Sequence, residues 1–329
     1  MLVNGFLCIL VGAAVSAALC LLGAMITYFC QGETLAVEFL RYYVIQFDGI
    51  LVGASSYGLL FFVMTRGKEM LAELNKILIV PESHIAELSK LRGRSVSFLW
   101  ANLISLPLTA TGVIVFSKCG FPLQGFARLY LTICVNSIWY AASTVLAFLF
   151  YSLLLFNRID VYSMPREGER IGAEKLSAFS SEQIDNFFIV CSSLALAAIY
   201  IGFRGGLTGF TNVDANYARL LILPVIFYLP ATLFYSLYPR YVLRQVFDRD
   251  VMVRFAGLER QIEVLRKLGL KDKLELLKLL YEVRVQALLQ GQGSSLLGVK
   301  DVPSFTLGLL IVIQFVTKGD SIIKGFFGK

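Results

Sequence analysis

A chain of 329 residues that is 57% hydrophobic and 16% charged, with a mean hydropathy of +0.71, has more apolar surface than one soluble core can bury. This composition excludes an ordinary water-soluble domain and makes lipid the expected solvent for most of the chain. The formal net charge of +7 does not call for nucleic acid, because a membrane protein gathers its basic surplus on the cytoplasmic side. The expected partner is the bilayer, with no nucleic acid.

The first apolar run, residues 6–30, contains no charged side chain. It is long enough to cross a bilayer, whose hydrocarbon core takes about 20 helical residues. It lacks the basic leader, short apolar core and cleavage site of a secretory signal, so a first transmembrane helix is predicted. Gly12, Ser16, Cys20 and Ala24 recur every four residues and form a small-residue ridge against which another helix can pack closely.

A second span is predicted over residues 42–65, with Gly49 and Gly53 at GxxxG spacing and one acid, Asp48, near its outer end. The segment between these two spans reads as a short outer connection. The next connection, 66–94, carries Arg66, Lys68, Lys76, Lys90, Arg92 and Arg94, which places it in the cytoplasm by the positive-inside rule. The third span, 96–117, contains Pro107, which removes a backbone donor and loosens the helix ladder. A fourth, 129–156, has Asn136, Ser137 and Trp139 in its outer half, and a cytoplasmic connection, 157–185, follows.

The fifth span, 187–203, is the shortest, and it stops at FRGGLTGF, read here as a glycine-rich outer turn. The sixth, 217–238, returns to the cytoplasm. Of 30 lysines and arginines, only Arg41, Lys118, Arg128, Arg204 and Arg219 fall on the outer side of this arrangement. The expected class is therefore an all-α, polytopic integral membrane protein. It has six transmembrane helices, arranged as three hairpins, with both termini cytoplasmic. The string LFYSL at 149–153 and 233–237 raises an internal repeat, although aromatics followed by arginine also mark any inner membrane interface.

Residues 1–240 thus form a transmembrane domain, and 241–329 are expected to form a cytoplasmic helical domain with a membrane-associated tail. Val251, Phe255, Leu258, Ile262 and Leu265 alternate at four- and three-residue spacing, a seam that needs a partner and is read as an oligomer contact. Leu274, Leu277, Tyr281 and Leu288 mark a second helix folding back after Gly269. The apolar run 305–316 is shorter than a span and reads as a buried or interfacial helix.

Catalytic signals are absent from this pattern. The single histidine, His84, rules out a multi-histidine metal centre, and there is no HExxH, GxSxG, P-loop or CxxC. No enzymatic activity, metal or cofactor is expected. Of six cysteines, only Cys30 and Cys119 fall at the outer face, where two free thiols are the expected state. Polar groups inside spans are the usual pointers to transport, and the pore or ligand candidates are Asp48, Asn102, Asn136 and Tyr200, with Arg204 at the outer boundary.

These features favour a homo-oligomeric channel or pore-like protein, gated or assembled by its cytoplasmic helices. The first alternative is a membrane-anchored sensor or effector scaffold whose cytoplasmic domain binds a partner or small ligand. The second is a secondary transporter, held back because no acid stands clearly at the membrane midplane.

Overall fold

The computed structural model describes residues 2–46, 48–77, 82–95, 97–118, 123–162, 173–209, 229–235, 237–242 and 306–313, with isolated positions between 245 and 304. Nearly all of these are helical, and no strand occurs among them. Four helical stretches have the length and composition of membrane spans: Gly5–Gln31, Gly49–Leu74, Gly125–Ile159 and Gln183–Gly202. Helix is the expected form here, because it satisfies every backbone group within one segment where no water is available.

Helix α1 (Leu2–Gln31) ends at Gly32, whose φ of 96° turns the chain back sharply. A side chain is strained at that angle, which is why glycine occupies it. The chain then enters α2 (Glu33–Arg41), where sequence reading expected only an outer connection. Its apolar side explains the difference. Ala36 and Phe39 are buried, while Glu33, Glu38 and Arg41 remain exposed, so α2 packs along α1 and shows its charges outward. Its acid in the first turn and arginine in the last match the helix dipole.

A π-helical turn (Tyr42–Gln46) follows α2, and Asp48 adopts a positive φ of 51° before α3 (Gly49–Ile77) begins. This corrects the second predicted span: 42–65 is not one continuous helix, because the backbone is interrupted ahead of Gly49. Helix α4 (Glu82–Ser95) occupies much of the predicted cytoplasmic connection 66–94 and lies against α6. Helix α5 (Phe98–Lys118) keeps Pro107 within it. Helices α6 (Gly125–Tyr162) and α7 (Ala173–Gly209) run beyond their predicted bounds and shorten the connection expected at 157–185.

Helix α3 is central, packed on α1, α6 and α7. One apolar cluster, built on Phe62, Phe156, Phe187 and Phe188, fills the end of the bundle nearer α4. Phe62 and Phe187 stack at 5.6 Å, and Phe156 meets Phe188 edge-on at 5.4 Å. A second cluster, with Cys20, Phe39, Tyr43, Leu131 and Cys134, fills the other end. There the Gln31 side chain closes the bundle, accepting the Ala127 N–H at 2.9 Å in the first turn of α6.

Later segments dock onto this bundle. Tyr235 and Val242 enter the Phe62 cluster, the Tyr238 hydroxyl donates to Asn157 Oδ1 at 3.1 Å, and Arg240 pairs with Asp185. Ser304 lies 2.8 Å from Ser193 of α7, hydroxyl to hydroxyl, and Ile311 is buried. Leu149 and Tyr235, which belong to the two LFYSL strings, share the Phe62 cluster. The break at Asp48 has no counterpart in α6, which is continuous, so the backbone gives the repeat no support. The five seam residues, Val251 to Leu265, lie outside the described residues.

Candidate polar site at a helix break

The break before α3 is positioned by the small-residue ridge of α1. A Cβ on Gly12 would stand 2.5 Å from the Ala54 carbonyl oxygen and 2.6 Å from the Gly58 nitrogen, so the two backbones touch. One turn along the ridge, Ser16 is fully buried, and its hydroxyl donates to the Gly49 carbonyl at 3.0 Å. The Tyr43 hydroxyl is also 3.0 Å from Ser16 Oγ. Because the single serine proton goes to Gly49, Tyr43 is the donor in this second bond. Cys20 and Ala24 continue the ridge into the cluster around Phe39 and Tyr43.

The GxxxG pair serves the same contact. A Cβ on Gly49 would fall 2.6 Å from the Tyr43 ring, and one on Gly53 would fall 2.2 Å from Ser16 Oγ. Tyr43 thus lies across the start of α3. Asp48 sits at that start, half-buried, and its carbonyl accepts the N–H groups of Leu51 and Val52, both at 3.0 Å. It occupies the position just before the first turn, where a carboxylate is favoured by the positive end of the helix dipole. Ser16 falls near the middle of the Gly5–Gln31 span. Asp48 therefore lies at the end of the Gly49–Leu74 span and, because α1 and α3 are offset, level with the middle of α1.

A second hydroxyl pair extends this polar line toward α6. Tyr57 Oη and Ser137 Oγ are 2.6 Å apart, and Ser137 in turn donates to the Cys134 carbonyl at 2.7 Å. A carboxylate and hydroxyls are hard oxygen groups suited to a small cation or a polar solute. No protein-family profile matches this chain, and comparisons with curated proteins and with solved structures return no match either. The geometry alone carries the functional argument.

The candidate residues divide between places. Asp48 is at the break. Asn102 belongs to the α5–α6 contact, where its Oδ1 accepts from Tyr140 Oη at 2.6 Å and from Ser105 Oγ at 3.2 Å. Nearby, the Trp139 indole N–H donates to the Leu108 carbonyl at 3.0 Å. Asn136 donates to Thr132 O within α6 at 2.8 Å, and its buried Oδ1 has no hydrogen-bond partner among the described residues. Tyr200 is half-buried on α7. Arg204 also belongs to α7, but its side chain lies outside the described residues, as does Cys119. Cys30 is an exposed free thiol.

Sequence reading missed Tyr43 and Tyr57 as part of the site and treated Ser16 and Ser137 only as packing or span residues. The available signal was tyrosine within an apolar run opposite glycines and serines, since a buried phenol hydroxyl needs a partner.

Proposed function

We propose that this protein is a channel or pore-like membrane protein whose permeation path passes the helix break at Asp48. The observation that carries this reading is an acid at an interruption of the helix, level with the middle of a neighbouring span and next to buried hydroxyls. Interrupted backbone at membrane depth is tolerated where it lines a cavity or is buried in protein, and helix ends at that depth coordinate ions in many transport proteins. The charge bias supports six spans with cytoplasmic termini and a cytoplasmic C-terminal domain. In the same reading the 251–265 seam assembles identical subunits, and the small-residue ridge of α1, already filled by α3 and α2, is excluded as the oligomer face.

The permeant species in this reading is a small cation, because an acid at the break, beside the hydroxyls of Ser16 and Tyr43, favours positive charge. The test is cation flux into liposomes holding purified protein, wild type beside Asp48→Asn. Flux that falls at least severalfold in the variant supports the reading. Secondary transport is the second reading, favoured by the same acid, which lies level with the middle of α1. It requires saturable, uphill exchange, whereas a pore gives discrete single-channel currents. Flux-silent liposomes holding folded protein would move the assignment to a sensor or scaffold.

A further inference from the structure

The junction of α4 and α5 carries a second site of different chemistry. Arg92 and Arg94 close α4, and α5 starts directly beyond Ser97, whose carbonyl accepts the Ala101 N–H at 3.1 Å. The Nε atoms of both guanidinium groups are buried and have no hydrogen-bond acceptor among the described residues. The nearest described carboxylate in sequence, Glu87, is already engaged by Arg158 at 3.4 Å. Arg94 stacks on Trp100, with its guanidinium carbon 4.2 Å from the ring centroid, and Trp100 meets Tyr151 edge-on at 6.4 Å. Beside them Phe98 is 42% exposed and Leu99 72%.

Each feature constrains the ligand. A charged donor withdrawn from water without an acceptor is unfavourable, and an anion held by the remaining N–H groups of either guanidinium would offset its charge. Burial holds the Arg92 guanidinium below its ordinary pKa, yet arginine stays protonated at neutral pH and keeps its charge. A guanidinium fork matches phosphate oxygens in bidentate geometry. Tryptophan and tyrosine together are typical of headgroup depth, and Arg158 of α6, which reaches α4, lies at the end of the Gly125–Ile159 span. Exposed Phe98 and Leu99 offer apolar contact for an acyl chain, which a free phosphate would not use.

We propose that Arg92 and Arg94, backed by Trp100, bind the phosphate headgroup of an anionic lipid at the membrane boundary. The site is independent of the permeation reading, since none of its residues belongs to the helix break. It gives the basic connection a second role beyond topology: it anchors the α4–α5 elbow against the bundle through a lipid bridge.

The chain has two tryptophans, so Trp139→Phe leaves Trp100 as the reporter. The full-length protein is placed in vesicles containing either anionic phosphatidylglycerol or zwitterionic phosphatidylcholine brominated on the acyl chains, and quenching of Trp100 is measured. The anionic lipid should be preferred by about tenfold, given the attraction expected of two arginines near the surface. In Arg92→Gln with Arg94→Gln the preference should fall to near unity. Equal quenching by the two lipids in the parent protein, or an unchanged preference in the glutamine variant, overturns the proposal. Inorganic phosphate that abolishes the preference at constant ionic strength would assign the site to free phosphate and overturn the lipid assignment. Should the glutamine pair fail to insert, Arg92→Lys with Arg94→Lys carries the test. Its preference should drop severalfold through loss of the fork, and no drop would overturn the bidentate geometry.

Discussion

Asp48 is the non-glycine residue with positive φ among the described positions, and its backbone and charge can be separated by substitution. Asparagine and glycine tolerate the left-handed region, whereas alanine pays about 1–2 kcal/mol there. Asp48→Asn and Asp48→Gly should therefore unfold in detergent at nearly the parent temperature, while Asp48→Ala should be less stable by about 1 kcal/mol. Cation flux should fall in all three, because all three remove the carboxylate. Flux that tracks stability instead of charge would make Asp48 a backbone residue and nothing more. The tyrosine hydroxyls are a milder case: Tyr57→Phe removes one interhelical bond to Ser137, worth about 0.6 kcal/mol by the average found within membranes.

At the scale of elements, the α1–α3 crossing is the contact least able to absorb a side chain. Gly12→Leu would drive carbon atoms into the Ala54 carbonyl and the Gly58 backbone, forcing the helices apart at a cost of about 1–3 kcal/mol or more. Gly67 and Gly93 are internal controls, since a Cβ at either meets nothing within 4 Å. Gly67→Ala in α3 and Gly93→Ala in α4 should stabilise their helices by about 0.5–1 kcal/mol each. Thermal unfolding of the four proteins side by side decides the matter, and the opposite sign at Gly12 and Gly67 is the diagnostic result. Because Ser16 is on the same ridge, Gly12→Leu should also displace the break and lower flux, linking packing to function.

For the molecule as a whole, orientation and assembly are the quantities to measure. Reporters fused at Glu33, Gly120 and Asn212 should read as outside and one after Lys329 as cytoplasmic, following the distribution of basic residues. An outside reading at Lys329 would mean that the apolar run near Ser304, which touches α7, crosses the membrane. If the 251–265 seam assembles subunits as proposed, Leu258→Asp with Ile262→Asp should dissociate them while the spans remain inserted, since a buried unpaired charge costs several kcal/mol. Mass measured in detergent checks this, and an unchanged mass would confine the seam to its own subunit.

Sequence alone determined that the chain is helical and apolar enough for a membrane, and it located the four helices of span length; most of the sixth predicted span, 217–238, lies outside the described residues. Hydropathy is nearly additive over a window, and transfer into lipid depends little on which residues lie alongside. The ridge Gly12, Ser16, Cys20 and Ala24 was also readable, because a period of four residues places small side chains on one helix face. Its partner was not readable. Only the tertiary structure decided that Ser16 would meet Gly49 and Tyr43, that α2 would fold back along α1, and that Asp48 would interrupt a helix level with the middle of α1. These outcomes depend on contacts between residues 27 and 33 positions apart. Buried serine and threonine hydroxyls can bond a carbonyl one turn back in their own helix, as Thr27 and Ser152 do, but Ser16 and Tyr43 are satisfied by distant segments. Local pattern carries no information on that partner, so the site became visible only with the helices in place.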